Sequence, residues 1–272
     1  MFLILVALAG STALAIVVML TVRRNAPPEG FLRDPGPAIG VFGVLGVAFA
    51  VILAFVVFLA FEGYLRAWEG ASHEAVAVTQ LARTTRLLPD PQGPILRGDL
   101  ACYSRAVVDD EWPQMAAGNE SEVVEDWLVR MEATVDEISV DSPRTEVALG
   151  HWLDQMAERR EGRRARLVEA DPVVPAAVWL LLLVGAAVTI SYLTLFADPR
   201  DRSWVQALII GSVTLLVVAG LLVVAFLDRP YQQDGAYVAP SEMQTTIRLI
   251  EHEFAGDPTF QPPCDDQGRP AS

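Results

Sequence analysis

The sequence predicts an all-α integral membrane protein. Four transmembrane helices run in a two-plus-two order, with a helical soluble block between the second and third spans. Three observations carry that prediction. Four segments, Met1–Val22, Ala38–Phe61, Val173–Ala197 and Ser203–Leu227, contain no Asp, Glu, Arg or Lys. Each is at least as long as the ~20 residues a helix needs to cross a hydrocarbon core. Between the two pairs lies a polar, acidic stretch, Glu62–Asp171. Apolar residues in that stretch recur every three or four positions, and no alternating strand pattern occurs anywhere. Lipid offers no backbone partners, so helices are the natural form of the spans. The chain divides into a first transmembrane hairpin (1–61), the block (62–171), a second hairpin (172–227), a tail with a short amphipathic helix (228–255) and a disordered end (256–272).

Charge narrows the partners. Of the formal −14, residues 62–171 hold 22 acids against 12 arginines, and residues 228–272 hold 8 acids against 3 arginines. Soluble parts this acidic argue against nucleic acid and against broad adhesion to anionic lipid. The lipid bilayer itself is the expected partner. All 20 basic residues are arginine, a codon signature of a GC-rich bacterial genome, which makes the plasma membrane (the bacterial inner membrane) the expected location. Two cysteines, Cys102 and Cys264, lie far apart, so no disulfide framework and no metal-type spacing is indicated.

The first span ends at Arg23-Arg24. It lacks the basic n-region of a secretory signal and is longer than an h-region, so a retained helix is expected. A short link rich in Pro and Gly, running from Pro27 to Pro37, makes the first two spans an antiparallel hairpin. The second span has two faces. Gly40, Gly43, Val47, Ala50 and Ala54 form a small one, and Phe42, Leu45, Phe49, Leu53 and Val56 a bulky one. The commoner use is small residues against neighbouring helices and bulky ones against lipid. The sharper alternative makes the bulky stripe a dewetting constriction in an oligomeric pore. The stripe Tyr64, Trp68, Ala71, Ala75, Thr79, Ala82 carries this helix on into the block without interruption before Leu88-Pro89.

Three more helices follow in the block. Pro94 to about Trp112 aligns Leu96, Leu100, Tyr103 and Val107, and Pro113 should end or kink it at Trp112. Ser121 to about Ile138 starts with a Ser cap and acids in its first turn, with Val124, Trp127, Leu128, Met131 and Val135 on its apolar face. The last opens on Ser142-Pro143, a cap followed by Pro, carries Val147, Trp152, Met156 and Leu167, and ends near Asp171-Pro172. The run Arg159, Arg160, Arg163, Arg164, Arg166 precedes the third span. The ordinary reading is a topological anchor; a ring of charge at a pore mouth or a lipid phosphate site is the alternative. A tight connection, 198–202, joins the third and fourth spans. Asp228 ends the fourth against the helix dipole unless it is paired, and a folded-back arginine from 159–166 could pair it. A turn at Asp234-Gly235 follows, and Pro240 opens a short helix with Met243, Ile247, Ile250 and Phe254.

Several of these segments resemble a bacterial membrane family described as bestrophin-like. They are Trp68-Glu69 through Glu74-Ala75 to Leu88-Pro89, Tyr103 through Glu111-Trp112-Pro113, the run ending Arg166-Leu167, Pro175 to Trp179, and Leu227-Asp228-Arg229-Pro230-Tyr231 through Pro240. The most specific residues are Glu111, Trp112, Asp228, Arg229 and Pro230. The resemblance implies four spans in two-plus-two order with a cytosolic helical middle. True bestrophins are pentameric ion channels, often anion-conducting, with a bulky apolar neck on the second helix. No residue of this chain matches their neck or calcium-binding motifs one by one, so no channel residue is carried over.

Catalytic patterns are missing from the sequence. His73, His151 and His252 stand alone, no phosphate loop or nucleophile motif occurs, and Asp109-Asp110-Glu111 point in different directions on a helix. The expectation is a protein that is not an enzyme and needs no cofactor and no metal. Within the spans only Tyr192 is ionisable, which disfavours ion-coupled transport. Orientation divides the arginines: Arg23, Arg24 and Arg33 pull the first link inward, the five of 159–166 pull the block inward, and four spans cannot satisfy both. The larger count, with the resemblance, places block and tail in the cytoplasm. The expected function is an oligomeric, bestrophin-like passive anion channel; the alternative is a membrane-anchored scaffold or sensor that binds a protein partner through the block.

Overall fold

The structure is a computed structural model and describes residues 2–27, 35–196, 202–232 and 236–271. Most of the first link, the 198–201 connection and the expected turn at Asp234-Gly235 lie outside them. The described residues form helices α1 (Phe2–Arg24), α2 (Pro35–Thr84), α3 (Gln92–Ala106), α4 (Trp112–Met115), α5 (Glu122–Asp136), α6 (Pro143–Val168), α7 (Ala176–Thr194), α8 (Ser203–Leu227) and α9 (Ser241–Phe254). Among them are four helices long and apolar enough to cross a membrane, α1, α2, α7 and α8. No strand occurs among the described residues, and one isolated bridge pairs Cys264 with Pro270. The chain divides into two compact units, residues 1–62 with 173–228, and residues 63–172 with 229–272.

The first unit packs the opening part of α2 with α1, α7 and α8. The two faces of α2 have exchanged the roles expected of them. Phe49 and Val56 are buried with Leu182, Ala186, Val217 and Val224. A Cβ on Gly185 would sit 2.6 Å from the Phe49 ring, and one on Gly220 would sit 2.7 Å from Leu53. Phe42 stacks on Tyr192 with ring centroids 5.9 Å apart. Apart from Leu45, which is exposed, the bulky stripe is therefore a packing surface within one chain, and the glycines that admit it are on α7 and α8. The small face is open: Gly40 and Gly43 have nothing near them, and Val47 is 66 % exposed. Lipid tails are as apolar as a helix neighbour, so close fit decides which face turns inward. Phe49 in a glycine notch fits better than a glycine against a flat helix.

Asp228 finds a different partner from the arginine that the sequence suggested. Its Oδ1 accepts the Val174 backbone N–H at 2.7 Å, and its Oδ2 accepts Trp179 Nε1–H at 3.1 Å. The carboxylate thus ties the end of α8 to the start of α7, where a negative charge suits the helix dipole.

In the second unit, the rest of α2 packs with α3 to α6 and α9 around Val78, Leu81, Leu96, Leu100, Trp127, Trp152 and Ile250. Trp68 departs from the expected stripe and is 48 % exposed. The helix does not break at Trp112. Instead Val107–Glu111 form a π turn, closed by the Trp112 N–H on the Val107 carbonyl, and Pro113 falls in the first turn of α4, where its missing N–H costs nothing.

Residues 256–271 are ordered against α3 and α5, contrary to the disorder their composition suggests. Cys264 is joined to Cys102 in a disulfide, although the sequence pointed to none. Trp127 Nε1–H donates to the Gly268 carbonyl at 2.7 Å, Arg97 pairs with Asp257, and Gly268 lies with φ +76° against the backbone of Ala106. Specific contacts hold this segment in place of an apolar stripe.

Candidate functional site

The centre of the second unit is a buried network of charge. Glu74 on α2 and Glu111 at the end of the π turn are fully enclosed, as is Arg166 on α6. Charges so placed are tolerated only when paired and hydrogen-bonded. Arg166 donates to Glu74 from Nε at 2.6 Å and Nη2 at 3.1 Å, and Nη2 also reaches Glu111 at 2.5 Å. Arg163 donates to Glu111 from Nη2 at 2.6 Å and to Glu125 from Nη1 at 2.9 Å. Tyr103 O–H donates to Glu74 at 2.5 Å. The Trp112 ring lies 5.0 Å from the Arg166 guanidinium and meets Tyr231 edge-on, and Tyr231 O–H donates to the Ala67 carbonyl.

Local sequence explains how the groups meet. Arg159, Arg163 and Arg166 are spaced four and three apart and share one face of α6, while Arg160 and Arg164 lie on the exposed side. The α2–α6 approach is close because both helices present glycine: a Cβ on Gly162 would be 2.5 Å from the Glu74 nitrogen, and one on Gly70 would be 2.9 Å from the Arg166 nitrogen. The π turn directs Glu111 inward and leaves Asp109 in solvent.

Electrostatics follow the pairing. Burial alone would raise the Glu111 carboxyl, but the Arg166 and Arg163 guanidiniums outweigh it and hold the group below the usual carboxylate range. Burial, then the Glu74 charge, push the Tyr103 hydroxyl far above its ordinary value, so it keeps its proton and stays a donor. Asp99, buried with only Arg130 as a counterion, is pushed up to about 6.

The membrane-face arginine cluster is thus split. Three of its five members face the interior, Arg163 and Arg166 of them in ion pairs, and only Arg160 and Arg164 remain on the surface. Glu111 and Trp112 belong to the buried network. Asp228 lies in the other unit, while Pro230 accepts the Val238 N–H at 2.7 Å and Arg229 is exposed. Asp110 accepts from Ser121 and Gln114. The three histidines are exposed, and among the described residues no group of three His, Cys, Asp or Glu is placed to hold a metal. Glu74 and Tyr103 stand in segments that carry the family resemblance, but sequence reasoning singled out neither as a site residue. The signal was an acid within the buried face Ala71–Ala75–Val78, which demands a partner.

The fold and this network define a helical integral membrane protein whose second unit is organised around a buried ion cluster. A sequence profile of the bestrophin-like domain matches residues 9–239. The chain belongs to the bestrophin-like family. No curated protein sequence matches it. Solved structures of a bacterial bestrophin homologue from Klebsiella pneumoniae share its fold. Two single-residue variants, each 13 % identical, give TM-scores of 0.70 and 0.68, covering 93 % and 90 % of this chain and 98 % of theirs. A third structure of that homologue, 14 % identical, gives 0.65 and covers 93 % of this chain and 98 % of its own.

Proposed function

We propose that the protein is an oligomeric channel of the bacterial inner membrane that passes anions passively. Family membership carries this reading, and the open face of α2 supports it. Phe42, Leu45, Phe49, Leu53 and Val56 are engaged within the chain to differing degrees. The constriction is therefore assigned to the outward stripe Val44, Val47, Val51, Phe55 and Phe58, spaced three and four apart and each more than half exposed. Purified protein in planar bilayers should show single-channel steps, with a larger unitary conductance in Phe55→Ala and an unchanged one in Phe49→Ala. Folded, oligomeric protein that stays electrically silent would overturn the channel reading, and a monomer with a stable co-purifying protein would favour a scaffold.

Two further observations support a reading of the sidedness of the second unit. Disulfides persist in oxidising compartments and are rare in the cytosol, and Cys102–Cys264 lies in this unit. The arginines that favoured a cytoplasmic block are largely consumed inside it. A stretch of 110 residues is also longer than the ~60 over which arginine counts set orientation. The short links then decide, and they hold Arg23, Arg24, Arg33, Arg200 and Arg202. We therefore place the links in the cytoplasm and the block and tail on the outer face, opposite to the sidedness the resemblance implies. Alkaline phosphatase fused after Ser272 should be active, and both cysteines should resist maleimide in freshly denatured cells. An inactive fusion with two free thiols would restore the cytoplasmic assignment.

A further inference from the structure

Of the three arginines on the buried face of α6, Arg159 alone has no acidic partner among the described residues. It is 2 % exposed. Its Nη1 donates to Tyr103 Oη at a long 3.3 Å, its Nε meets no acceptor, and among the described residues no other hydrogen bond engages the guanidinium. The Tyr103 hydroxyl is a weak partner for a full charge, since its own proton is committed to Glu74. Ring contact, with the guanidinium carbon 5.4 Å from the Tyr103 centroid, offsets little of the desolvation. A buried Nε–H without a partner, on a guanidinium with one long hydrogen bond, asks for an acceptor that the described residues do not supply.

The side chain lines a cavity of about 450 Å³, within the size range of small-molecule sites. Arg160, Arg163 and Arg164 also line it, and Leu128, Val129, Leu167 and Val168 give it apolar walls. Acids border it too. Glu125 is bound to Arg163 at 2.9 Å and Glu132 stands 4.0 Å from Arg160, leaving Glu120 and Asp171 as further negative groups on the lining. That mixture selects against polyanions, which those carboxylates would repel. It leaves room for a single negative charge beside the guanidinium and an apolar body against the leucines and valines.

We propose that this cavity binds a small monocarboxylate with an apolar body, its carboxylate taken by Arg159. A guanidinium fork matches a planar carboxylate better than a spherical halide. The ligand would complete the coordination of Tyr103 and Arg159 and so brace the α3–α6 side of the buried network. The site stands on the second unit alone and does not depend on ion conduction.

The test uses the full chain in mild detergent at fixed ionic strength, with sodium benzoate as probe and inorganic phosphate in parallel, read by calorimetry and thermal unfolding. Benzoate should bind saturably and raise the unfolding temperature, and phosphate should do neither. Arg159→Gln should weaken benzoate by about tenfold or more, the loss of one charged hydrogen bond. Should that variant fail to fold, Val129→Trp, a substitution at a cavity-wall residue that is 59 % exposed, should abolish binding while leaving the buried network intact. No saturable binding, equal binding of phosphate, or undiminished binding in both variants would overturn the proposal.

Discussion

Arg166→Ala is expected to cost the second unit about 3–5 kcal/mol, enough to leave little folded protein at 37 °C. The reason is the asymmetry of buried pairs. Arg166 is the shared counterion of Glu74 and Glu111, all three fully enclosed; removing it strands the Glu74 carboxylate with only the Tyr103 O–H and leaves Glu111 to Arg163 alone. It also frees the Trp112 face that the guanidinium covers. Arg164→Ala, two residues earlier on the exposed side of the same helix, is the control and should change stability by less than about 0.5 kcal/mol. Thermal unfolding followed by tryptophan fluorescence would separate them. Equal melting of the two variants would mean that the network does not hold the unit together.

Removing the disulfide is the second large effect. Cys102 and Cys264 are 162 residues apart, and a cross-link closing a loop of that length stabilises by up to about 5 kcal/mol on a chain-entropy argument. In a Cys102→Ser, Cys264→Ser double variant the chain beyond Phe254 should detach from α3 and α5. Limited proteolysis should then cut within 256–271 under conditions that spare the oxidised protein, and the unfolding temperature should fall. Protection of that segment in the double variant would show that Trp127–Gly268 and Arg97–Asp257 suffice without the covalent link.

The elements readable in the sequence are those fixed by local chemistry. Ser121 caps α5 by accepting the Val124 N–H, and Ser142 caps α6 by accepting that of Thr145, as their positions suggest. The four long apolar helices and the buried faces of α3 and α5 follow from spacing alone. What could not be read depends on distant partners. Both faces of α2 are apolar, so no polarity difference tells which one meets α7 and α8; the answer lies in Gly185 and Gly220, more than a hundred residues away. Five nearby arginines look alike in sequence. Only their register on α6, together with Glu74, Glu111 and Glu125, divides them into buried and exposed members. Two lone cysteines give no hint of each other until the tail is laid along α3.

The π turn at Val107–Glu111 is one residue more than an α-helix would use between the same two ends. Each residue of helix advances its side chains by about 100°. A chain shorter by one at this point would swing Glu111 off its arginines and Trp112 off Tyr231 together. The extra residue and the Glu-Trp pair therefore depend on each other in this chain: deleting one residue within Val107–Glu111 should unseat both side chains at once.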